Sequence, residues 1–209
     1  MRQFTISQGI YMGEKRIIDI LVSALALILL SWLFLILCIA IKIDSRGPIL
    51  FKQKRVGIHK THFMIYKFRT MRIYTPKDMP THMLADPEQY STRVGKFLRK
   101  SSLDELPQIF DILRGDMSFV GPRPALPNQT RLLELRHENG SDQLKPGLFG
   151  LAQKNGRDQL LETEKAAYDG EYAEKLSFWM DCKSFFGCIF NSVLQKNIVE
   201  GKQSHSTKK

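Results

Sequence analysis

A chain of 209 residues, 43% of them hydrophobic, is long enough to bury a core of its own, and one domain plus an appendage is the expected organisation. Its net charge of +10 is unevenly placed: residues 42–100 hold 14 Lys and Arg against 4 Asp and Glu, while residues 101–209 hold 14 against 15. Charge massed in one segment suits anionic headgroups or a polyphosphate ligand better than a nucleic-acid track, and three cysteines (Cys38, Cys182, Cys188) without metal spacing argue against disulfides and zinc and for a reducing compartment.

Residues 1–14 read as a short, weakly ordered lead. Lys15-Arg16 then precede an uncharged run of 22 residues, Ile20 to Ile41, closed by Lys42. As a helix it is roughly 33 Å long, enough to cross a bilayer. It is too long for a signal-peptide core, and no small-residue cleavage pattern follows, so residues 15–46 are expected to remain as a membrane anchor. Both flanks are basic, but the C-terminal one (Lys42, Arg46, Lys52, Lys54, Arg55) is far stronger. That bias puts the rest of the chain in the cytosol whether the run spans or re-enters. Re-entrance needs a bend near Ser31-Trp32, where serine can satisfy freed carbonyls but Trp32 does not break a helix as proline would.

Gly47-Pro48 ends this segment. Ile49-Leu50-Phe51 reads as a short strand, and Phe63 to Met71 as a second that places Lys67 and Arg69 on one face. Residues 74–91, with Pro76, Pro80 and Pro87, read as a loop. Val94, Phe97 and Leu98 start a helix pattern. Leu103, Leu106, Ile109, Phe110 and Leu113 give the next helix its buried face, ended by Arg114-Gly115-Asp116. Further helices are expected over Leu126–Arg136 and Leu160–Leu176, the latter carrying Asp169 and Tyr172, with turns at Lys145-Pro146-Gly147 and Asn155-Gly156-Arg157. Ser177–Leu194 is aromatic-rich yet carries Asp181 and Lys183, so it lies in a membrane interface or packs into the core. Residues 201–209 read as a disordered tail. The fold class is α+β: an N-terminal, re-entrant membrane helix, then a compact, mostly helical cytosolic domain over 47–200, with a small β element and interfacial amphipathic helices.

The stretch Leu98 to Pro124 organises the chain. Adjacent carboxylates, Asp104 and Glu105, follow Arg99-Lys100 and precede a stiff Gly121-Pro122-Arg123-Pro124 loop. Carboxylates flanked by fixed arginines suit phosphate chemistry: one holds a metal, guanidinium neutralises charge, and the other is free to attack. Ser102 and Glu105 also fit a capping box. With Ser102 as N-cap, Pro107 falls at the fifth helical position; with Asp104 as N-cap it falls in the tolerated first turn.

Seven motifs in order carry a resemblance: Lys15-Arg-Ile-Ile-Asp19, Gln53-x-Arg55-x-Gly57, Tyr66-Lys-Phe-Arg-Thr-Met71, Ser102-Leu-Asp-Glu-Leu-Pro-Gln108, Gly115-Asp-Met-Ser-Phe-Val-Gly-Pro-Arg-Pro124, Lys145-Pro-Gly147 and Ala152-Gln-Lys-Asn-Gly-Arg157. From about Lys15 to Leu194 the chain is similar to the small monotopic phosphoglycosyl transferases of the bacterial sugar transferase family. The resemblance implies transfer of a sugar 1-phosphate from a UDP-sugar to undecaprenyl phosphate, on the cytosolic face of the bacterial inner membrane. UMP would be released and a surface glycan begun (O-antigen, capsule, exopolysaccharide or glycoprotein glycan), with later glycosyltransferases downstream. It implies Asp104 as the nucleophile of a phosphosugar-enzyme intermediate, Glu105 as a Mg²⁺ ligand, and Arg99, Arg123 and Arg157 as phosphate or nucleotide binders. Lys67 and Arg55, in the basic region, join them as substrate-binding candidates. The family has Ser-Pro at the membrane bend where this chain has Ser31-Trp32. Asn155-Gly-Arg-Asp158 and the short chain lean toward an N-acetylated amino sugar, often 6-deoxy, ahead of glucose or galactose. A rival class, a membrane-tethered basic module that binds anionic lipid or nucleic acid without catalysis, explains the anchor and charge but not the carboxylate pair.

Overall fold

Thr5 caps the first helix. Its hydroxyl accepts from the Gln8 amide and the Gln8 side chain accepts in return from the Thr5 amide, which satisfies two donors that a helix start leaves orphaned. Helix α1 therefore runs Ile6–Leu29 in the computed structural model, which describes residues 2–75, 87–156 and 159–193. The lead expected over residues 1–14 is helical from Ile6 onward. Helix α2 (Ser31–Asp44) follows after a bend of 62°. The break falls at Leu30, where Ser31 Oγ donates to the Ile28 carbonyl at 2.9 Å. The bend thus occurs beside Ser31-Trp32 without a proline. Neither helix alone is long and apolar enough to cross a membrane; the bent pair together meets that measure.

An antiparallel hairpin comes next, β1 (Leu50–Val56) and β2 (His62–Phe68), with Leu50 opposite Phe68 and Val56 opposite His62. Beyond it lie α3 (Pro87–Tyr90), α4 (Arg93–Lys100), α5 (Gln108–Arg114), β3 (Ser118–Val120), α6 (Thr130–Asn139), β4 (Gly147–Phe149), α7 (Leu151–Asn155), α8 (Glu162–Glu174) and α9 (Phe178–Val193). Strands β3 and β4 form a second, parallel pair with Ser118 opposite Gly147 and Val120 opposite Phe149. Part of the loop expected over 74–91 lies outside the described residues, as does the tail expected over 201–209.

Several expected boundaries shift for local reasons. The first strand extends to Val56, because alternating lysines at 52 and 54 face outward. The second ends at Phe68, and Arg69 turns inward, buried, to donate to the Ser45 and Arg46 carbonyls at 2.7 and 2.8 Å. Lys67 and Arg69 therefore serve different contacts. Pro127 lies before the helix expected from Leu126, which starts at Thr130 and ends where Gly140 takes φ 79°. In α5 the buried residues are Gln108, Ile109, Asp111 and Ile112, while Phe110, expected inside, is half exposed with its ring 5.9 Å from that of Phe34.

Both arms of the bent pair pack on the rest of the chain. On α1, Arg16 donates to the Ile112 and Leu113 carbonyls at 2.7 and 2.8 Å, at the C-terminal end of α5, and Asp19 accepts the Phe119 amide at 3.1 Å. Lys15, Tyr11 and Tyr172 converge on Asp181 of α9. On α2, Leu37 and Ile41 share a buried cluster with Phe68 and Leu98, flanked by Leu103 and Leu106. The same arm thus backs the turn that carries the two acids.

Candidate active site

Ser102 sets the geometry of the acidic turn. It takes the left-handed conformation (φ 57°), uncommon for a residue with a side chain, and its hydroxyl makes no cap. A 3₁₀ turn over Leu103–Glu105 follows, and α5 begins only at Gln108, immediately after Pro107. Neither capping arrangement open in the sequence is therefore formed. Pro107 stands just ahead of α5, where its missing N–H costs nothing. Leu103 and Leu106 anchor the turn against the α2 cluster, and the two carboxylates between them project from it.

The neighbouring acids have unlike surroundings. Glu105 is buried, and its Oε1 takes both the Lys67 ammonium (2.6 Å) and the Arg123 guanidinium (2.7 Å). Burial alone would raise its pKa, but Arg123 and Lys67 hold it well below the usual carboxylate range. Asp104 takes no hydrogen bond from the described residues and keeps partial exposure. Desolvation raises it to about 6, reinforced by the Glu105 charge, against the opposing pull of Lys67, Arg99 and Arg123. One acid is thus fixed as an anion by two cations, and the other is an uncommitted carboxylate with cations at hand.

Arg123 is held by a stiff frame. Gly121 donates to the Phe149 carbonyl at 2.9 Å and Gly147 to the Pro122 carbonyl at 2.8 Å, so the Gly-Pro-Arg-Pro loop and the Lys-Pro-Gly turn lie backbone to backbone. A Cβ on Gly147 would stand 2.1 Å from the Gly121 nitrogen, an approach that only glycine permits. Arg55 is part of this frame. Its guanidinium donates to the Pro124 carbonyl at 3.0 Å and to Gln53 at 2.6 Å. Burial, then the nearby Arg123 charge, lowers it to about 10.

The fold therefore gathers Asp104, Glu105, Lys67 and Arg123 at one place. Arg99, in the last turn of α4, acts on Asp104 through its charge. The contacts of Arg55 support the loop bearing Arg123. Arg157 lies outside the described residues. The sequence singled out no role for Asp111, nor for Arg16 and Asp19 within the Lys15–Asp19 motif. The signal for Asp111 was an acid inside an apolar-periodic segment, and for the other two a charged pair three residues apart ahead of an uncharged run.

A model of the bacterial sugar transferases matches residues 10–195. The chain is 40% identical over 201 residues to a UDP-glucose:undecaprenyl-phosphate glucose-1-phosphate transferase of Klebsiella pneumoniae, which covers 90% of this chain and 42% of that protein. It is 37% identical over 196 residues to an undecaprenyl-phosphate glucose phosphotransferase of Komagataeibacter xylinus, covering 89% and 37%. It is 35% identical over 190 residues to the exopolysaccharide production protein ExoY of Sinorhizobium fredii, covering 84% of each. The chain spans about two fifths of the length of the first two relatives. With nearly all of its described residues inside the match, the chain belongs to the bacterial sugar transferase family.

Proposed function

We propose that this chain transfers a sugar 1-phosphate from a UDP-sugar to undecaprenyl phosphate and releases UMP, through a covalent intermediate on Asp104. The observation that carries this reading is the unequal pair: Glu105 bound by two cations, Asp104 without a hydrogen bond from the described residues. The relatives' names supply the donor and acceptor classes. In the first half-reaction an Asp104 carboxylate oxygen attacks the sugar-bearing phosphorus. The bond from that phosphorus to the bridging oxygen breaks, and UMP leaves with the oxygen and its electron pair. In the second, an acceptor phosphate oxygen attacks the same phosphorus and the Asp104 carboxylate leaves. The acceptor phosphate is already an anion at pH 7, so neither step needs a general base. Arg99, Arg123 and Lys67 offset the repulsion between carboxylate and diphosphate. Arg157 completes the phosphate-binding set.

Mg²⁺ fits the residues present. Both cations reach Glu105 through Oε1, and no described residue hydrogen-bonds Oε2, which leaves one hard oxygen as a ligand. The described residues hold no cluster of three His, Cys, Asp or Glu, so substrate phosphate and water would complete the shell, as is usual for this ion. When bound it would neutralise diphosphate charge.

The α1–α2 pair enters and leaves the bacterial inner membrane on the cytosolic face, with the catalytic domain on that face and α9 in the interface. Supporting this, Gln8, Lys15, Arg16 and Asp19 of α1 and Leu37 and Ile41 of α2 all pack on the same body. Leu25, Ile28, Leu29 and Trp32 near the bend, and Phe178, Trp179, Phe186 and Phe190 of α9, are exposed. The product would start a surface glycan. A panel tests the reading: UDP-glucose, the donor in the relatives' names, against UDP-linked N-acetylated amino sugars, to which residues 155–158 lean. UMP and a lipid diphosphosugar are expected from at least one donor with undecaprenyl phosphate. UMP from none would leave the tethered basic module as the better account.

A further inference from the structure

Asp111 was in no motif singled out for chemistry, yet it is fully buried, at 0% exposure. It sits in α5, six residues after Glu105. Its Oδ2 accepts the Tyr66 backbone amide at 3.1 Å, and its Oδ1 accepts from Arg114 at 2.7 Å. Tyr66 is clasped on its ring as well, with the Arg114 guanidinium and the Lys52 ammonium each 5.3 Å from the ring centre. The next residue along β2 is Lys67, whose ammonium reaches Glu105 Oε1 at 2.6 Å. A closed circuit results. Glu105 leads to Asp111 through the backbone of the acidic turn and the start of α5, Asp111 to Tyr66 through a hydrogen bond, Tyr66 to Lys67 through one peptide, and Lys67 back to Glu105 through an ion pair.

Packing alone does not account for a carboxylate here. Taking a carboxylate out of water opposes folding, and burial pushes Asp111 up to about 6 despite the Tyr66 and Arg114 contacts. An apolar residue of similar volume would fill the site at less cost, but it would leave the Tyr66 amide without its acceptor. Resting on the function proposed above, we infer that Asp111 is a positioning residue: by holding the Tyr66 amide it sets where the Lys67 ammonium stands against Glu105, beside the Asp104 nucleophile.

The test is a double-mutant cycle on UMP release in detergent, with thermal unfolding of each variant as the control for folding. Asp111→Ala is expected to lower kcat about 10- to 100-fold, since misplacing a charged group by about 1 Å can cost that much. Asp111→Asn keeps a carbonyl acceptor for Tyr66 and is expected within about threefold of wild type. In a Lys67→Ala background, Asp111→Ala should change kcat by less than about twofold, because the group it positions is gone. Equal effects in both backgrounds would overturn the inference, as would equal losses for Asn and Ala. Should Asp111→Ala not fold, Asp111→Leu takes its place under the same criterion. Wild-type release is measured first. Its absence refutes the function and this role together, whereas an active wild type with an additive cycle refutes only the role of Asp111.

Discussion

Asp104→Asn should stabilise the protein while disabling it. The Asp104 pKa rises from 3.8 to about 6 in the folded chain. Between about pH 4 and 6 the folded state therefore keeps a proton that the unfolded state has lost, so stability falls as pH rises through that window. Two units at 1.36 kcal/mol each set a ceiling of about 3 kcal/mol. Partial exposure screens the effect, and roughly 1–2 kcal/mol is the expected remainder. Asparagine carries no titrating proton. Its stability should match wild type near pH 4 and exceed it by roughly 2–8 °C in Tm from pH 6.5 upward. The assay is thermal unfolding in detergent at half-unit steps from pH 4 to 8. A gap that is the same at pH 4 and pH 7, or a wild type more stable at pH 7, would refute the reasoning. Glu105→Gln should do the reverse. The Glu105 pKa is depressed, so its contribution is present at neutral pH and lost on acidification. Lys67 and Arg123, with 17% and 33% of their side chains exposed, would lose their anionic partner, at a cost of roughly 1–3 kcal/mol.

Two further outcomes are expected. Excess chelator should abolish UMP release and added Mg²⁺ restore it; full activity in chelator would remove the metal role of Glu105. Ser7→Cys, on the exposed first turn of α1, should resist an impermeant thiol reagent in intact cells and react after lysis, since the N-terminus lies on the cytosolic side; labelling of intact cells would show a straight span.

The elements that could be read from residue order were those with long patterns. The apolar run, the charged helix α8 and the aromatic helix α9 each offer several turns of periodicity. The parallel pair β3–β4 could not be read, because three-residue strands are too short for a period of two to stand out. The phase of α5 was misjudged for a related reason. Over seven residues the buried side is chosen by β2 and α1, not by hydrophobicity, which put Asp111 inside and Phe110 at the surface. In the acidic turn, the left-handed Ser102 is a tertiary outcome, and a Ser-x-x-Glu pattern is indistinguishable in sequence from a cap. Proximity of the candidate residues was easier to read. Asp104, Glu105 and Arg123 lie within twenty positions of one another, and only the Lys67 arm arrives from a distant strand. Lys15-Arg16-x-x-Asp19 shows why its charges sit where they do: each joins α1 to a different element of the domain.

The central claim is that Asp104 becomes covalently bound to the phosphosugar. The most direct measurement incubates the purified protein with its UDP-sugar, without lipid acceptor, and follows both UMP and the mass of the peptide holding Asp104. A burst of about one UMP per protein is expected, with a phosphosugar adduct on that peptide. Asp104→Asn should give neither, while remaining folded. UMP that appears only with undecaprenyl phosphate present, under sequential kinetics and with no adduct, would contradict the account.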